Sequence, residues 1–320
     1  MASTATVTVL LRELFSETMS LEPAQTHSVR TVASPGRRLG HGRNRVTDAP
    51  HAPDGPPVRP AQPRQPTLAR RLSAEALGTL LLVTIVVGSG IAAERLSPGD
   101  VGLQLLENST ATAFGLTVLI LMFGPTSGAH FNPVVSLADW YLGRRTRTGL
   151  TLPEVSAYSA AQVVGGIAGA ALANLMFDLP VVEISTKPRT GNHLLLGELV
   201  ATTGLVALIF ILARTGRGAL AAPAVGIYIG AAFWFTSSTS FANPAVTIGR
   251  AFTDTFAGIA PTSVIGFLAA QVVGAVLAVL LVRWFHPDVD QPGTPGADTA
   301  ARAVLPHPTN PRTSTDRSIP

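Results

Sequence analysis

The fold of this chain is decided by two short segments: residues 127–134 read SGAHFNPV, and residues 240–245 read SFANPA. Each segment places an Asn-Pro pair in a stretch rich in glycine, serine and threonine. Proline is accepted in the first turn of a helix but breaks a helix interior, and an asparagine before it is a favourable N-cap. The sequence therefore predicts that a short helix follows each pair, over residues 134–141 and 245–252.

Neither short helix can cross a bilayer, but the chain around them is rich in apolar stretches. A membrane-spanning helix needs about 20 apolar residues. Hydrophobic residues make up 47% of the chain and charged residues only 13%, whereas soluble domains carry about 25% charged residues. Six spans are predicted, near residues 72–93, 109–123, 155–177, 193–213, 220–236 and 263–284. The predicted fold class is an all-α membrane protein with six transmembrane helices and two re-entrant half-helices.

The chain contains an internal repeat. The hexapeptide AAQVVG occurs at residues 160–165 and again at residues 269–274. Each half has a glutamate and a threonine four residues apart in its first span, an Asn-Pro pair after its second span and a glutamine in its third. These residues are Glu75, Thr79, Asn132 and Gln162, then Glu198, Thr202, Asn243 and Gln271. Since each half has three spans, the halves enter the membrane from opposite faces, and an inverted repeat is predicted.

The two Asn-Pro segments also predict a water-filled path. Irregular backbone at membrane depth is tolerated only where protein buries it or where it lines an aqueous cavity. Both half-helices start at the midplane, so the positive ends of their dipoles meet there and oppose cations and protons. The side-chain amides of Asn132 and Asn243 can donate to a passing oxygen, which gives a polar site without a fixed charge.

These segments resemble the paired signature loops of the major intrinsic proteins, the family of aquaporins and aquaglyceroporins. The Glu-Thr pairs and the two QVVG runs are similar to that family as well, and the resemblance covers about residues 72–285. One departure is Val134, which stands where the family usually has alanine; a small change in half-helix packing is expected. The resemblance implies these pore motifs: Asn132, Pro133, Val134, Asn243, Pro244 and Ala245.

The family's narrowest point is a ring of four side chains beyond the Asn-Pro pairs, here called the selectivity ring. The resemblance and a fixed residue count from each asparagine place four residues in it: Thr112, Ala231, Ser240 and Val246. Ala232 replaces Ala231 if a one-residue gap is allowed, and Ser240 is expected to supply its backbone carbonyl. Val246 stands where the family usually has arginine, so the resemblance implies a wide, uncharged ring. Arg250, one turn further on, is an open candidate for the missing charge.

Several polar residues are interpreted as supports for the two loops. Glu75 and Glu198 lie in apolar helices, where an ionisable side chain is a functional candidate. Each carboxylate is expected to accept hydrogen bonds from loop N–H groups; a proton relay is the alternative. Supporting roles are also expected for Thr79, Thr202, Gln162 and Gln271, the glutamines bonding loop carbonyls, and for His130, which would position the first loop and line the pore.

The two ends of the chain lie outside the predicted channel domain of residues 71–285, whose repeats span 72–177 and 193–284. Polar and Pro-rich residues 1–70 and 286–320 are predicted to be disordered. Arginine and lysine near the spans divide 8 to 4 between the two sides, the larger group being Arg70, Arg71, Arg144, Arg145, Arg147, Arg214, Arg217 and Arg283. This predicts a multi-pass protein of a bacterial inner membrane with both termini in the cytoplasm.

The predicted function is a passive channel for small uncharged solutes, and not an enzyme. The sequence has no cysteine, no phosphate-binding loop and no cluster of metal-ligand residues, so neither a cofactor nor a metal is expected. The expected partners are small neutral permeants and the lipid bilayer; the net charge of +4 gives no reason to expect nucleic acid. The resemblance implies a homotetramer, water and glycerol-like permeants, and a bacterial branch linked with arsenite as its neutral hydroxide.

Three alternatives to this function stay open. The nearest is a water-selective aquaporin with little solute flux. A secondary transporter also uses inverted repeats and broken helices, but it would need carboxylates at the midplane. A closed member with a structural role is the third alternative, and the small side chains expected in the selectivity ring argue against it.

Overall fold

The structure, a computed structural model, describes residues 66–287. Eight α-helices occur among these residues: α1 (Leu68–Leu96), α2 (Val101–Ser127), α3 (Pro133–Gly143), α4 (Leu152–Met176), α5 (Asn192–Arg214), α6 (Ala221–Phe235), α7 (Pro244–Gly249) and α8 (Pro261–Phe285). Six of them are long and apolar enough to cross a membrane, α6 together with the 3-10 turn Gly218–Leu220 before it. The short α3 and α7 are the half-helices, and no strand occurs in the described part of the chain. The predicted fold class is confirmed.

The second span begins earlier than predicted, at Val101 and not near residue 109. The Asp100 side chain accepts a hydrogen bond from the first turn and caps the helix. Gln104 and Asn108 lie in this added stretch, and each donates its side-chain amide to a backbone carbonyl of a neighbouring segment, at 2.9 and 2.8 Å. Because these polar groups are buried and paired, a helix forms where a count of apolar residues finds none.

The first span also begins before the predicted domain boundary at residue 71. Helix α1 starts at Leu68, and Thr67 is its N-cap. The N-cap hydroxyl accepts a hydrogen bond from the N–H of Arg70, so that arginine belongs to the first helical turn. The disorder predicted for both tails concerns residues 1–65 and 288–320, which lie outside the described residues.

The two repeats pack in the same way. In the first half α1 packs against α2 and α4, and in the second half α5 packs against α6 and α8. Each half-helix lies against a spanning helix of the other repeat as well as one of its own: α3 contacts α4 and α8, and α7 contacts α8 and α4. The half-helices therefore join the two repeats into one body.

The loops before the half-helices have matching backbone conformations. Asn132 and Asn243 are both extended N-caps, with φ of −153° and −158°. The residue before each asparagine is in the left-handed region, Phe131 at φ 49° and Ala242 at φ 46°. A non-glycine residue at such an angle costs about 1–3 kcal/mol and persists only where its surroundings fix it. Both loops therefore depend on strong contacts with the rest of the protein.

Close packing around the half-helices depends on glycines, as Gly78 and Gly166 show. A Cβ at Gly78 of α1 would lie 1.9 Å from the ring of Phe131, which is 1% exposed. A Cβ at Gly166 of α4 would lie 2.7 Å from the carbonyl oxygen of Ala245 in α7. Both distances are too short for any side chain, so these glycines let the first loop and the second half-helix reach their positions.

The departure at Val134 is accommodated by the packing of the first half-helix. Pro133 and Pro244 occupy the first turn of α3 and α7, directly after the N-cap asparagines. Val134 is buried in an apolar cluster with side chains of α3, α5 and α8, including Val206 and Ala275. The additional methyl groups therefore lie in the protein interior.

Candidate permeation site

The two Asn-Pro segments hold each other across the centre of the protein. The Asn132 side-chain N–H donates to the Ala242 carbonyl at 2.8 Å, and the Asn243 side-chain N–H donates to the Phe131 carbonyl at 2.7 Å. Each asparagine also accepts, through its side-chain oxygen, from the first turn of its own half-helix. A side-chain amide has two hydrogens, so one N–H of each asparagine is left for the cavity that both residues line.

A cavity of about 230 Å³ runs past the Asn-Pro segments. Its wall comes from both repeats and is mostly apolar, with α6 contributing Val225, Ile229 and Phe233. The polar and charged residues that line it are Thr112, His130, Asn132, Asp139, Ser240, Asn243 and Arg250. Such a lining suits a small molecule that carries both hydroxyl groups and a carbon skeleton.

Three of the residues predicted for the selectivity ring lie on the cavity, and Ala231 does not. Thr112, Ser240 and Val246 are buried cavity-lining residues. Ala231 lies on the exposed outer surface of α6, and Phe233 takes its place on the cavity. Because each helical residue turns by about 100°, a face built from every fourth residue leaves Ala231 on the opposite side.

The prediction of Ala231 is wrong because a residue count from Asn243 fixes a distance along the chain and not a helix face. Ala232 is buried, but it is also absent from the residues that line the cavity. With Phe233 on the wall, the cavity carries an aromatic ring that the sequence interpretation did not include. Thr112, Ser240 and Val246 therefore share the cavity wall with Phe233, and neither alanine lies on it.

Two residues that line the cavity have buried hydroxyl groups without a partner among the described residues. The side-chain oxygens of Thr112 and Ser240 are buried, and within residues 66–287 no hydrogen bond reaches them. The two residues are 2% and 3% exposed. A buried hydroxyl without a partner costs about 1–3 kcal/mol. Both oxygens are almost fully covered by protein, so the structure places the two residues on the wall but does not turn their hydroxyls toward the cavity.

The two buried glutamates contact the loops through backbone N–H groups. Glu75 accepts from the N–H groups of His130 and Phe131, at 3.0 and 2.7 Å. Glu198 accepts from the two residues that precede Asn243, both at 2.8 Å. Both side chains are fully buried. A carboxylate that accepts two such bonds fixes two consecutive peptide units, one of which has the left-handed backbone described above.

The glutamines contact the glutamates and not, as predicted, the loop carbonyls. Gln162 donates to the carboxylate of Glu75 at 2.7 Å, and Gln271 donates to the carboxylate of Glu198 at 2.6 Å. The glutamine lies on the third span of its half and the glutamate on the first. The prediction fails because a buried carboxylate is the stronger acceptor and lies within reach of the same amide.

Two hydroxyl residues of the half-helices were missed by the sequence interpretation. Ser136 and Thr247 accept from the glutamines Gln162 and Gln271, at 3.2 and 2.9 Å. Each hydroxyl also donates to the carbonyl of the asparagine four residues before it. The repeat contained the signal, because both residues follow their Asn-Pro asparagine at the same spacing.

Thr79 and Thr202 do not support the loops as predicted. The Thr79 hydroxyl donates to the backbone carbonyl of Glu75 at 2.8 Å, within its own helix. The Thr202 hydroxyl has no partner among the described residues, and its Cβ lies close to Gly274 of α8. A threonine four residues after another residue on a helix readily bonds the preceding turn, so the shared spacing does not indicate a contact with the loop.

His130 joins the first loop to the first half-helix. Its Nδ1 lies 3.0 Å from the hydroxyl of Ser136, and its ring centroid lies 5.6 Å from that of Tyr158. The side chain lines the cavity on the side of the first repeat.

A further pair of hydrogen bonds joins two loops outside the spanning helices. Asp254 accepts from the backbone N–H and from the hydroxyl of Thr186, both at 2.9 Å. The backbone hydrogen bond and then the hydroxyl bond lower the pKa of Asp254, because they favour the charged carboxylate. This contact joins the segment after α4 to the segment after the second half-helix.

Two clasped Asn-Pro loops around a small cavity in an inverted six-span repeat define a pore-forming membrane protein. Residues 62–241 match the family described as "Major intrinsic protein". The chain is 54% identical over 217 residues to the aquaglyceroporin AqpS of Rhizobium meliloti (strain 1021), covering 68% of this chain and 90% of that one. It is 32% identical over 236 residues to aquaporin-6 of Mus musculus, covering 69% and 74%.

A solved structure, that of the aquaglyceroporin from Plasmodium falciparum, shares the fold with a TM-score of 0.50 and 22% sequence identity. It aligns with 70% of this chain and 97% of its own. The chain belongs to the major intrinsic protein family, whose members are channels rather than enzymes.

Proposed function

We propose that the protein is a passive channel for water and small uncharged solutes of the glycerol type. The observation that carries this proposal is the lining of the cavity: the side chains of Asn132, Asn243 and Arg250, each with N–H groups left over, lie on a wall that is otherwise mostly apolar. A polyol can pair its hydroxyls with these groups and place its carbon skeleton against Ile229 and Phe233. The similarity to the aquaglyceroporin AqpS supports the same solute class.

Ion exclusion is part of the proposal, and the electrostatics of the centre support it. The N-termini of both half-helices meet at the Asn-Pro segments, and each carries a partial positive charge. A cation or a hydrated proton would lose water there without gaining a negative partner. The neutral amides of Asn132 and Asn243 replace water around an uncharged solute at no such cost.

Neutral arsenite is included among the proposed permeants. Its trihydroxide has three hydroxyl groups on a compact centre, as glycerol has on three carbons. Val246 supports this inclusion because a short apolar side chain occupies the cavity wall there. Phe233 lies on the same wall, and we propose that its ring limits the size of the solute.

The buried polar groups around the loops are proposed as supports and not as a proton relay. Glu75 and Glu198 each bond two loop N–H groups and one glutamine amide, so their oxygens are occupied by donors. Neither residue lines the cavity. A relay group must exchange protons with water in the path, and these two carboxylates lie behind the loops.

The proposed assembly is a homotetramer in a bacterial inner membrane, with one pore in each subunit and both termini in the cytoplasm. The outer faces of the spanning helices expose large apolar side chains such as Phe114, Ile265 and Trp284, which suit lipid or a neighbouring subunit. The orientation rests on the 8 to 4 division of arginine and lysine between the two sides.

Stopped-flow light scattering on proteoliposomes tests the proposed function. Vesicles mixed with a glycerol gradient should first shrink rapidly as water leaves and then swell again as glycerol enters, both faster than in protein-free vesicles. Fast shrinking without swelling would contradict the solute range and leave a water-selective aquaporin. Glycerol entry that stops when a protonophore collapses a proton gradient would instead indicate a secondary transporter.

A further inference from the structure

Arg250 is a buried arginine on the wall of the cavity. It follows α7 directly, is 3% exposed and lines the cavity of the Asn-Pro segments. Among the described residues there are two salt bridges, and neither includes Arg250. Arginine stays charged in proteins, and a buried charge in a membrane protein is a candidate functional group.

The guanidinium of Arg250 is held on one edge and one face. Its Nε donates to the carbonyl of Ala257, and its Cζ lies 3.4 Å from the centroid of the Phe241 ring. A guanidinium has five N–H donors, so four remain on the two terminal nitrogens. No acceptor for those four occurs among residues 66–287. Since the side chain lines the cavity, they are available to its contents.

The inverted repeat gives a second reason to assign Arg250 to the pore. Asp139 and Arg250 each follow their Asn-Pro asparagine by seven residues, and both line the same cavity. The half-helices run away from the centre in opposite directions, so these two charges lie toward opposite ends. The positive group opposes cations at one end and the negative group opposes anions at the other, which leaves neutral solutes as the favoured permeants.

We propose that Arg250 is a specificity-determining residue of the pore. Its terminal N–H groups donate to the hydroxyls of a passing polyol, and its charge repels cations. The inference rests on the proposed channel function and adds a residue that a ring of small uncharged side chains does not contain. The side chain of Val246 has no N–H group, so the side-chain donor to the solute comes from Arg250, one turn further along the chain.

The test compares Arg250→Met with Arg189→Met in proteoliposomes. Arg189 is the matched control because it also faces the Phe241 ring, at 5.0 Å, and donates to two carbonyls of the same 253–260 segment, but it does not line the cavity. Arg250→Met keeps a long side chain and removes every donor. Water and glycerol permeability are measured on the same vesicles, and potassium leak is measured with a valinomycin-free dye assay.

Arg250→Met should lower the ratio of glycerol to water permeability at least about tenfold, because a lost hydrogen bond to a charged donor changes a barrier by that factor or more. It should also raise the potassium leak. Arg189→Met should leave both quantities at their wild-type values. An unchanged ratio in Arg250→Met with normal water permeability would overturn the proposal, and so would equal changes in both variants, since these indicate support of the segment alone.

Two further outcomes are decisive. If Arg250→Met no longer conducts water, Arg250→Gln decides: it removes the charge and leaves two N–H donors. A reduced ratio with a raised potassium leak supports the proposal, and wild-type values of both overturn it. If the wild-type protein conducts water but not glycerol, the proposed solute range fails. The potassium leak then tests Arg250 alone, and a leak that does not rise in Arg250→Met overturns its role.

Discussion

Gly78 is the position where a single methyl group should disturb the first loop most strongly. In Gly78→Ala the new Cβ would lie 1.9, 2.4 and 2.7 Å from three ring atoms of Phe131, whereas carbon atoms in contact prefer about 3.5–4.0 Å. The ring cannot turn aside easily, because Phe131 is 1% exposed and packs edge-on against Phe123 at 6.0 Å. The loop itself must therefore move.

The size of the effect follows from what holds Phe131. Overpacking of a tight core costs about 1–3 kcal/mol. Moving the loop also weakens the bond from the Phe131 N–H to Glu75 and the bond from Asn243 to the Phe131 carbonyl, both 2.7 Å, at about 1 kcal/mol each. The helix propensity gained by replacing glycine returns about 1 kcal/mol. We expect a net loss of about 2–4 kcal/mol, with reduced water permeability.

The assay is thermal unfolding of purified protein in detergent, followed by water flux in proteoliposomes. A loss of about 2 kcal/mol should lower Tm by roughly 4–8 °C for a domain of this size. Gly124→Ala is the control, because it lies in helix α2 and a Cβ there meets nothing within 4 Å. If Gly78→Ala unfolds at the same temperature as Gly124→Ala and conducts water normally, the reasoning about Phe131 is refuted.

Three other predictions concern the second loop, the cavity wall and the contact between Asp254 and Thr186. Glu198→Gln should lower Tm and water flux, because a neutral amide accepts more weakly from the two loop N–H groups; an unchanged flux would contradict the supporting role. Phe233→Ala should admit four- and five-carbon polyols in swelling assays, whereas Ala231→Leu on the outer surface should leave glycerol swelling unchanged; a loss of glycerol swelling in Ala231→Leu would return Ala231 to the pore wall. The lowered pKa of Asp254 adds stability above the ordinary aspartate pKa of about 3.9, lost as pH falls through the folded value. Asp254→Asn should therefore lower Tm at neutral pH and flatten its fall in acid, and parallel curves would disprove that contribution.

Local signals predicted the elements of the fold. Apolar runs located the six spans, and each Asn-Pro pair located a half-helix start, since N-cap and first-turn preferences act over a few residues. The repeat then fixed how the halves are related. The start of α2 was missed because Gln104 and Asn108 are polar by type, and only the folded structure shows that their amides are paired.

Contacts between distant segments could not be predicted in the same way. The sequence gives no measure of which side of α6 faces the cavity, so Ala231 was chosen where Phe233 lies. The bonds from the glutamines to the glutamates join different spans and depend on the packing of α1 against α4 and of α5 against α8. Ser136 and Thr247, in contrast, were visible in the repeat as matching hydroxyl residues.

The crossed bonds of the two asparagines have a consequence for synthesis in the cell. Asn132 and its acceptor Ala242 are 110 residues apart, and Asn243 is 112 residues from Phe131. At about 5–20 residues per second, the ribosome needs several seconds or more to produce that stretch. During this interval the first re-entrant loop has been made, but its partner has not. A nascent first repeat therefore contains an incomplete pore wall, and the conduction path is completed only when the second repeat enters the membrane.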